Sequence, residues 1–328
     1  MTKILLTGGT GFIGSHILEC FKENGEDIAC ISRKKADIRN FENLEASFKG
    51  ADCVIHNAAM ASDWGKYSDF YENNITGTMN VLKACSENNI QQLILTSSSA
   101  VFGEANCKSI KNEQSDENSH YNYFLDRIFP SAMNYYRDTK KAAKELAEKY
   151  AKEHNLNLTI IYPVWVYGER EFGTGFYEYL KTAKEKMPLI MGSKKNKLHL
   201  IYAKDLARAY LLAYRADLKG INDFLIGNSN AENMDMVYNL FCEYAGYKKP
   251  RNAPKLFMYP IGFFMELLYT VFSVKTPPLL TRARVNMFYD NVEFSIQKAK
   301  EKLGFECQYS LETGIKNTVE WYKKEGFL

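Results

Sequence analysis

The stretch Thr7-Gly8-Gly9-Thr10-Gly11-Phe12-Ile13-Gly14 constrains this chain more than any other. It follows Lys3-Ile4-Leu5-Leu6, an apolar run that reads as a buried first strand, and it opens Phe12 to Phe21, which has the pattern of an amphipathic helix. Glycines 8, 11 and 14 give the spacing G-x-x-G-x-x-G. Gly8 permits the sharp turn off the strand, Gly11 lets backbone approach a pyrophosphate, and Gly14 lets the helix pack close to the sheet. The helix N-terminus offers free N–H groups and a partial positive charge to phosphates. A glycine triplet between a strand and a helix is the context a dinucleotide loop requires. Gly8, Thr10, Gly11, Phe12, Ile13 and Gly14 are therefore candidate cofactor contacts.

The same alternation continues. Asp27 to Ile31 reads as the second strand, Asp37-Ile38 follows after a very short connection, and Cys53-Val54-Ile55 is the next buried run, leading to His56-Asn57-Ala58-Ala59. A fifth apolar strand, Leu93-Ile94-Leu95, ends at Thr96-Ser97-Ser98-Ser99, and Ile75 to Ser86 between them has helical periodicity. Strand alternating with helix predicts an α/β fold, a Rossmann doubly wound parallel sheet covered on both faces, with ligand across the C-terminal strand ends. Asp37, Ile38, Asn57, Ala58, Ala59 and Thr96 lie at such ends and join the candidate cofactor set. An NAD site commonly carries a carboxylate at the end of the second strand, for the ribose 2′-hydroxyl. Here Ser32 stands there, followed by Arg33, Lys34 and Lys35. A hydroxyl and cations suit a 2′-phosphate, so Ser32 and Arg33 point to NADP ahead of NAD; the alternative is a solvated basic loop.

Composition excludes several classes. A net charge of +3 over 328 residues gives no argument for nucleic acid. Seven cysteines are scattered without a C-x-x-C pair, which reads as reduced thiols in a cytoplasmic protein. The chain enters a strand at once, so no signal peptide is expected. His16, His120, His154 and His199 have no metal-ligand spacing, His56 reads as a packing residue at a strand end, and no metal is expected.

Tyr136-Arg137-Asp138-Thr139-Lys140 runs into Lys141-Ala142-Ala143-Lys144-Glu145-Leu146, a strongly helix-favouring sequence. On a helix Tyr136 and Lys140 share one face, about 6 Å apart. A phenol titrates near about 10 alone, and a neighbouring ammonium lowers that value. Such a tyrosine can exchange a proton with an alcohol or ketone. A serine from a neighbouring strand end can bond the same oxygen.

With these residues the chain resembles the extended short-chain dehydrogenase/reductases, the NAD-dependent epimerase/dehydratase family, over essentially its whole length. The resemblance rests on TGGTGFIG (7–14), HNAA (56–59), NNITGTMNVLKAC (73–85), TSSSAVFG (96–103), YRDTK (136–140), YPVWVYG (162–168) and IYAKDLARAYLLA (201–213). It implies Tyr136 as catalytic acid/base, Lys140 as the residue that lowers its pKa and holds the nicotinamide ribose, and Ser98 as the catalytic hydroxyl, with Ser99 the alternative. It implies cofactor contacts at Asn74 and along Tyr162, Pro163 and Val166, although Tyr162 stands where the family has Arg.

The resemblance is nearest to the branch of 3β-hydroxysteroid and sterol-carboxylate dehydrogenases, which also holds bacterial reductases of long-chain 3-oxo acids. The segment 58–67, with Trp64-Gly65-Lys66-Tyr67, and Pro277-Pro278-Leu279-Leu280-Thr281-Arg282 carry that likeness. It implies an apolar secondary alcohol or ketone as substrate. Nucleotide-sugar enzymes of the family carry an Arg seven residues before the Asp that is Asp205 here; this chain has Leu198, with Lys194, Lys195 and Lys197 nearby as possible substitutes. A nucleotide-sugar epimerase or reductase is the rival, and a catalytically idle dinucleotide-binding protein is another. A dehydratase is disfavoured, since Ser99-Ala100 follow Ser98 where that class has Asp-Glu.

Residues 1–165 and 196–225 are expected to form the dinucleotide domain, and 166–195 with 226–328 a smaller mixed substrate domain. The insert from Cys107 to Met133 is long for a connection and is expected to line or cover the site. Met258 to Phe272 holds one charge, Glu266, in fifteen residues, too short a run to span a bilayer. It reads as a buried helix, a lid over an apolar substrate, or a membrane-surface contact. Many relatives pair through the helices around 75–86 and 140–154, so a homodimer is expected.

Overall fold

The computed structural model describes residues 3–103, 109–173, 175–186, 189–190, 192 and 194–328. Cys107, where the long insert begins, lies outside them. The strands of three or more residues are β1 (Lys3–Thr7), β2 (Asp27–Ile31), β3 (Cys53–His56), β4 (Gln92–Thr96), β5 (Asn157–Pro163), β6 (Trp165–Tyr167), β7 (Leu200–Tyr202) and β8 (Ile221–Ile226). Six of them form one wholly parallel sheet in the order β8-β5-β4-β3-β1-β2. β1 lies between β2 and β3, with Thr7 level with Ile31 on one side and His56 on the other. β3 is buried throughout and β4 is buried beyond its first residue, as strands covered on both faces must be.

The faces of this sheet are covered by α1 (Phe12–Glu23), α2 (Phe41–Ser47), α4 (Gly77–Glu87), α5 (Ala132–His154) and α7 (Ala203–Arg215), while α3 (Tyr67–Phe70) packs on α5 and α6 (Phe176–Lys184) lies away from the sheet. The remainder is α8 (Met234–Ala245), α9 (Lys255–Val271), α10 (Arg282–Met287), α11 (Gln297–Leu303) and α12 (Leu311–Lys324). Two apolar cores result. One packs the six-stranded sheet against its helices and also takes Phe294, Ile296, Ala299, Leu303 and Phe305. The other joins α6, α8 and α12 around Phe176, Tyr238, Phe241, Ile315 and Tyr322.

Two local expectations are corrected, and one short strand is placed. Asp37-Ile38 forms no strand: the Asp37 carboxylate accepts bonds from Arg33 and Arg39, and the Asn40 side chain caps α2 two residues later, so the chain turns there. Leu200–Tyr202 pairs with Trp165–Tyr167 outside the large sheet, while Ile201 and α7 behind it join the core of that sheet and α7 packs on α1. The apolar stretch 258–272 is not a buried helix: in α9 only Gly262 and Glu266 are buried.

Candidate active site

The parallel sheet brings the loops after β1, β2, β3 and β4 to one edge. Gly8 turns the chain off β1 with φ +72°, in the left-handed region that favours glycine. A Cβ on Gly8 would meet the backbone of Ala58 at 2.8 Å, so this loop and the loop after β3 lie against each other. A Cβ on Gly14 would lie 2.1 Å from the Gly8 carbonyl oxygen, so α1 can start here only with glycine at this position. Gly11, by contrast, is exposed, and its added Cβ would have only the Gly8 oxygen near it, at 3.4 Å. Gly11 is the N-cap of α1 and no side chain caps that end. The outcome is an open cradle of backbone with Thr10 exposed on it and Phe12 and Ile13 half-buried beside it. A dinucleotide diphosphate fits this cradle, because the one glycine with free space above it is at the helix N-terminus.

From the cradle, contacts run to the centre of the sheet. Ala58 N–H donates to the Thr7 hydroxyl (3.2 Å), and the Asn57 side-chain oxygen accepts from the Thr96 hydroxyl (3.2 Å). Thr96 also bonds the Tyr210 hydroxyl (2.7 Å). Ala59 is exposed at the same edge. Lys140 reaches across from α5 and donates to the Thr96 carbonyl (2.5 Å). It is buried, and burial pushes its ammonium down to about 8. His56 is buried between the Thr7 and Thr78 hydroxyls, and burial lowers it to about 3: a neutral packing residue.

The three serines after Thr96 differ. Ser97 and Ser99 are buried, whereas Ser98 is half-exposed and caps the short 3₁₀ turn Ser99–Phe102, its hydroxyl accepting from Ala100 N–H (3.2 Å). Of the two alternatives, Ser98 is the one open to a ligand. Tyr136 is half-buried and sits against Tyr121, Tyr123, Met133 and Ala283. α5 itself packs on the 3₁₀ turn that Ser98 caps. One helix thus carries Lys140 to the end of β4 and Tyr136 to the aromatic wall formed by Tyr121 and Tyr123.

Further candidate contacts are buried residues. Asn74 is buried in a π-helical turn, Tyr71–Thr76, between α3 and α4. Its amide holds Met60 by both N–H (2.7 Å) and carbonyl (3.2 Å) and donates to the Thr139 hydroxyl (3.0 Å). Thr139 in turn donates to the Tyr135 carbonyl (2.6 Å). Asn74 therefore fixes the loop after β3 to the helix that carries Tyr136. Thr139, Tyr210 and Tyr123 were not singled out by sequence reading; a hydroxyl one place before Lys140 on the same helix was the available signal for Thr139. Tyr162 is fully buried and packs edge-on to Phe102, so it serves the core in the place of the family's Arg. Pro163 and Val166 are buried beside it at the end of β5 and in β6. Ile38 is buried too, and its carbonyl accepts from Asn80 (2.9 Å).

At the end of β2 a groove of about 510 Å³ is lined by Arg33, Lys34, Lys35, Asp37 and Arg39, among others. Ser32 is half-buried at its edge. Arg39, the nearer donor (2.7 Å), and Arg33 (3.0 Å) hold the Asp37 carboxyl far below its ordinary value. Among the described residues no cluster of His, Cys, Asp and Glu could hold a metal ion.

A family model described as the NAD dependent epimerase/dehydratase family matches residues 4–227. A 2-alkyl-3-oxoalkanoate reductase of Stenotrophomonas maltophilia is 25% identical over 96% of this chain and 97% of its own. A putative UDP-glucose 4-epimerase of Methanocaldococcus jannaschii is 26% identical, with 98% of each chain covered. The crystal structure of a Thermus thermophilus UDP-glucose 4-epimerase complex with NAD superposes with a TM-score of 0.74 at 21% identity, covering 98% of this chain and 99% of that one. At that identity the likeness establishes the fold.

Proposed function

The chain belongs to the NAD dependent epimerase/dehydratase family, and from that premise we propose that it is a nicotinamide-dependent oxidoreductase acting on a secondary alcohol or its ketone in an apolar molecule. When bound, the dinucleotide supplies the acceptor or donor of hydride. The chain's own residues do the rest. Tyr136 exchanges the proton of the substrate oxygen. The Lys140 ammonium, held at the Thr96 carbonyl, favours the phenolate. The Ser98 hydroxyl, anchored over its turn, donates to the developing oxyanion. Asn74 and Thr139 keep the loop after β3 and α5 in register. Gly11 leaves room for the diphosphate over the tight turn that Gly8 and Gly14 permit, and the Arg33–Arg39 groove receives the adenosine ribose with NADP favoured over NAD.

The observation that carries the apolar substrate is the wall beside Tyr136, made of Tyr121, Tyr123, Met133 and Ala283. The similarity to a 3-oxoalkanoate reductase points the same way. A second reading, a nucleotide-sugar 4-epimerase, is favoured by the relative and the solved structure that bear that description. Against it, Leu198 is buried in a two-residue strand and cannot neutralise a diphosphate, and Lys197 is paired with Glu293.

The test is turnover with NAD and NADP on two panels: 3-hydroxy and 3-oxo steroids with long-chain 3-oxo acids, and UDP-, GDP- and dTDP-sugars with products separated by chromatography. Turnover on the first panel is expected, with Arg33→Ala raising KM for NADP more than for NAD. Turnover on sugars alone would replace the first reading by the second.

A further inference from the structure

We propose that α9 and the loop 124–128 together form a face that docks on an anionic lipid bilayer. α9 is amphipathic in the wrong sense for a core helix. Its inward positions are Gly262 and Glu266, while Phe257, Ile261, Phe264, Leu268 and Val271 point outward with 48–66% of their surface exposed. Leu256 (79%) and Phe272 (73%) extend that stripe at either end. The loop adds Phe124 (59%), Leu125 (46%) and Ile128 (83%). The two pieces are one surface: Phe124 packs edge-on against Phe263 of α9, and Phe124 N–H donates to the Tyr259 hydroxyl (3.2 Å). Soluble monomers seldom leave a continuous apolar surface of this kind uncovered.

Charge selects the occupant. In residues 121–130 and 251–289 every exposed ionisable side chain is a cation: Arg127, Arg251 and Lys275. The acids of these segments are turned in: Asp126 and Glu266 are both buried, and Glu266 is paired with Arg282. An apolar stripe rimmed by cations and free of exposed acid matches an interfacial helix on anionic headgroups. No helix among the described residues is long and apolar enough to cross a membrane, so the contact lies on the surface. A neutral or cationic protein partner would meet an uncompensated positive rim.

The face also adjoins the candidate site. Buried Arg282 donates to the carbonyls of Phe124 (2.5 Å) and Phe129 (2.8 Å) from under the loop. Tyr123, one residue before Phe124, packs with Tyr136, and its hydroxyl accepts from Arg137 (2.7 Å). Trp64, on the loop after β3, donates to the Val274 carbonyl (3.0 Å) just past α9. Docking would bring a bilayer within a side-chain layer of Tyr136, whichever substrate reading holds.

The experiment is flotation of the full chain with vesicles of phosphatidylcholine alone and of phosphatidylcholine with phosphatidylglycerol, at low and high salt. Binding to the anionic vesicles is expected, reduced at high salt. The apolar double variant Phe264→Ser/Leu268→Ser should lower partition at least tenfold, and Arg127→Ala/Arg251→Ala/Lys275→Ala should lower it about a hundredfold on anionic vesicles at low salt. Far-UV circular dichroism and thermal unfolding of both variants, whose changes are all at exposed positions, should match the parent. Failure of the parent to float on either vesicle overturns the proposal. So does undiminished flotation of both variants. A dimer in solution that the apolar variant dissociates, with no flotation of the parent, would assign the face to a second copy of the chain instead.

Discussion

Removing Arg282 should destabilise the packing of α9 against α10 more than any other single change near it. Arg282 and Glu266 are both buried, with Nε to Oε2 at 2.9 Å and Nη2 to Oε1 at 3.0 Å. Breaking a buried pair by deleting one partner costs about 3–5 kcal/mol, because the remaining charge is left in an apolar site. The two deletions are unequal. In Glu266→Met the guanidinium keeps two acceptors, the carbonyls of Phe124 and Phe129, and the face of Phe129 at 4.4 Å. In Arg282→Met the carboxylate keeps only one donor, the backbone N–H of residue 282 (2.9 Å), and both carbonyls are orphaned. Glu266→Met should therefore sit near about 3 kcal/mol and Arg282→Met near about 5 kcal/mol. The double variant removes both charges and leaves the two carbonyls and the backbone N–H of residue 282 to solvate, for about 2 kcal/mol. Urea unfolding at neutral pH, with matched m-values, reads these losses. A double variant as damaged as both singles added together would refute the reasoning, since it would mean that the two groups do not share one site.

Three more predictions follow from single contacts. Gly14→Ala places a methyl 2.1 Å from the Gly8 oxygen, so the turn must shift by about 1 Å; affinity for the dinucleotide, measured by calorimetry, should fall roughly a hundredfold. Lys140 is held down to about 8 by burial, so its charged form costs stability below pH 8 and that cost is relieved as pH rises toward its unfolded value. Affinity for the anionic dinucleotide should be flat below about pH 8 and weaken above it, and Lys140→Met should abolish that dependence. His120 bridges Asp138 (2.7 Å) and Asp126 (2.8 Å); desolvation opposes its charge, but the two carboxylates outweigh it and raise its pKa. A raised histidine contributes stability that is complete below its unfolded pKa and lost as pH rises through its folded one. Hydrogen exchange in residues 119–126 should accordingly be better protected, after correction for intrinsic rates, at pH 6 than at pH 8.5, and the difference should vanish in His120→Asn.

What the sequence discloses here is mostly local. The parallel sheet and the glycine cradle are legible because strand, turn and helix N-terminus are contiguous and Gly14 has one steric reason to be glycine. Ser98 against Ser99 was not separable in sequence, since the difference is burial set by a 3₁₀ turn. Asp37 looked like a strand end and became a turn because Arg33 and Arg39 converge on it. The bonds of the Asn74 amide to Met60 and Thr139 join partners distant in the chain, which local sequence does not disclose. The run from Met258 to Phe272 has a core composition, and only its packing against Thr281 and Val285 through Gly262 reveals that most of its apolar side chains face out.

On the proposed reading, Tyr136 exchanges the proton of a substrate whose carbon exchanges hydride with the cofactor. That reading is tested most directly by mixing the protein, loaded with oxidised dinucleotide, with a turnover-competent alcohol and following absorbance of the reduced nicotinamide in a single turnover. Rapid reduction is expected in the parent and a loss of at least a hundredfold in Tyr136→Phe, with dinucleotide affinity changed little. Reduction at the parental rate in Tyr136→Phe would contradict the reading.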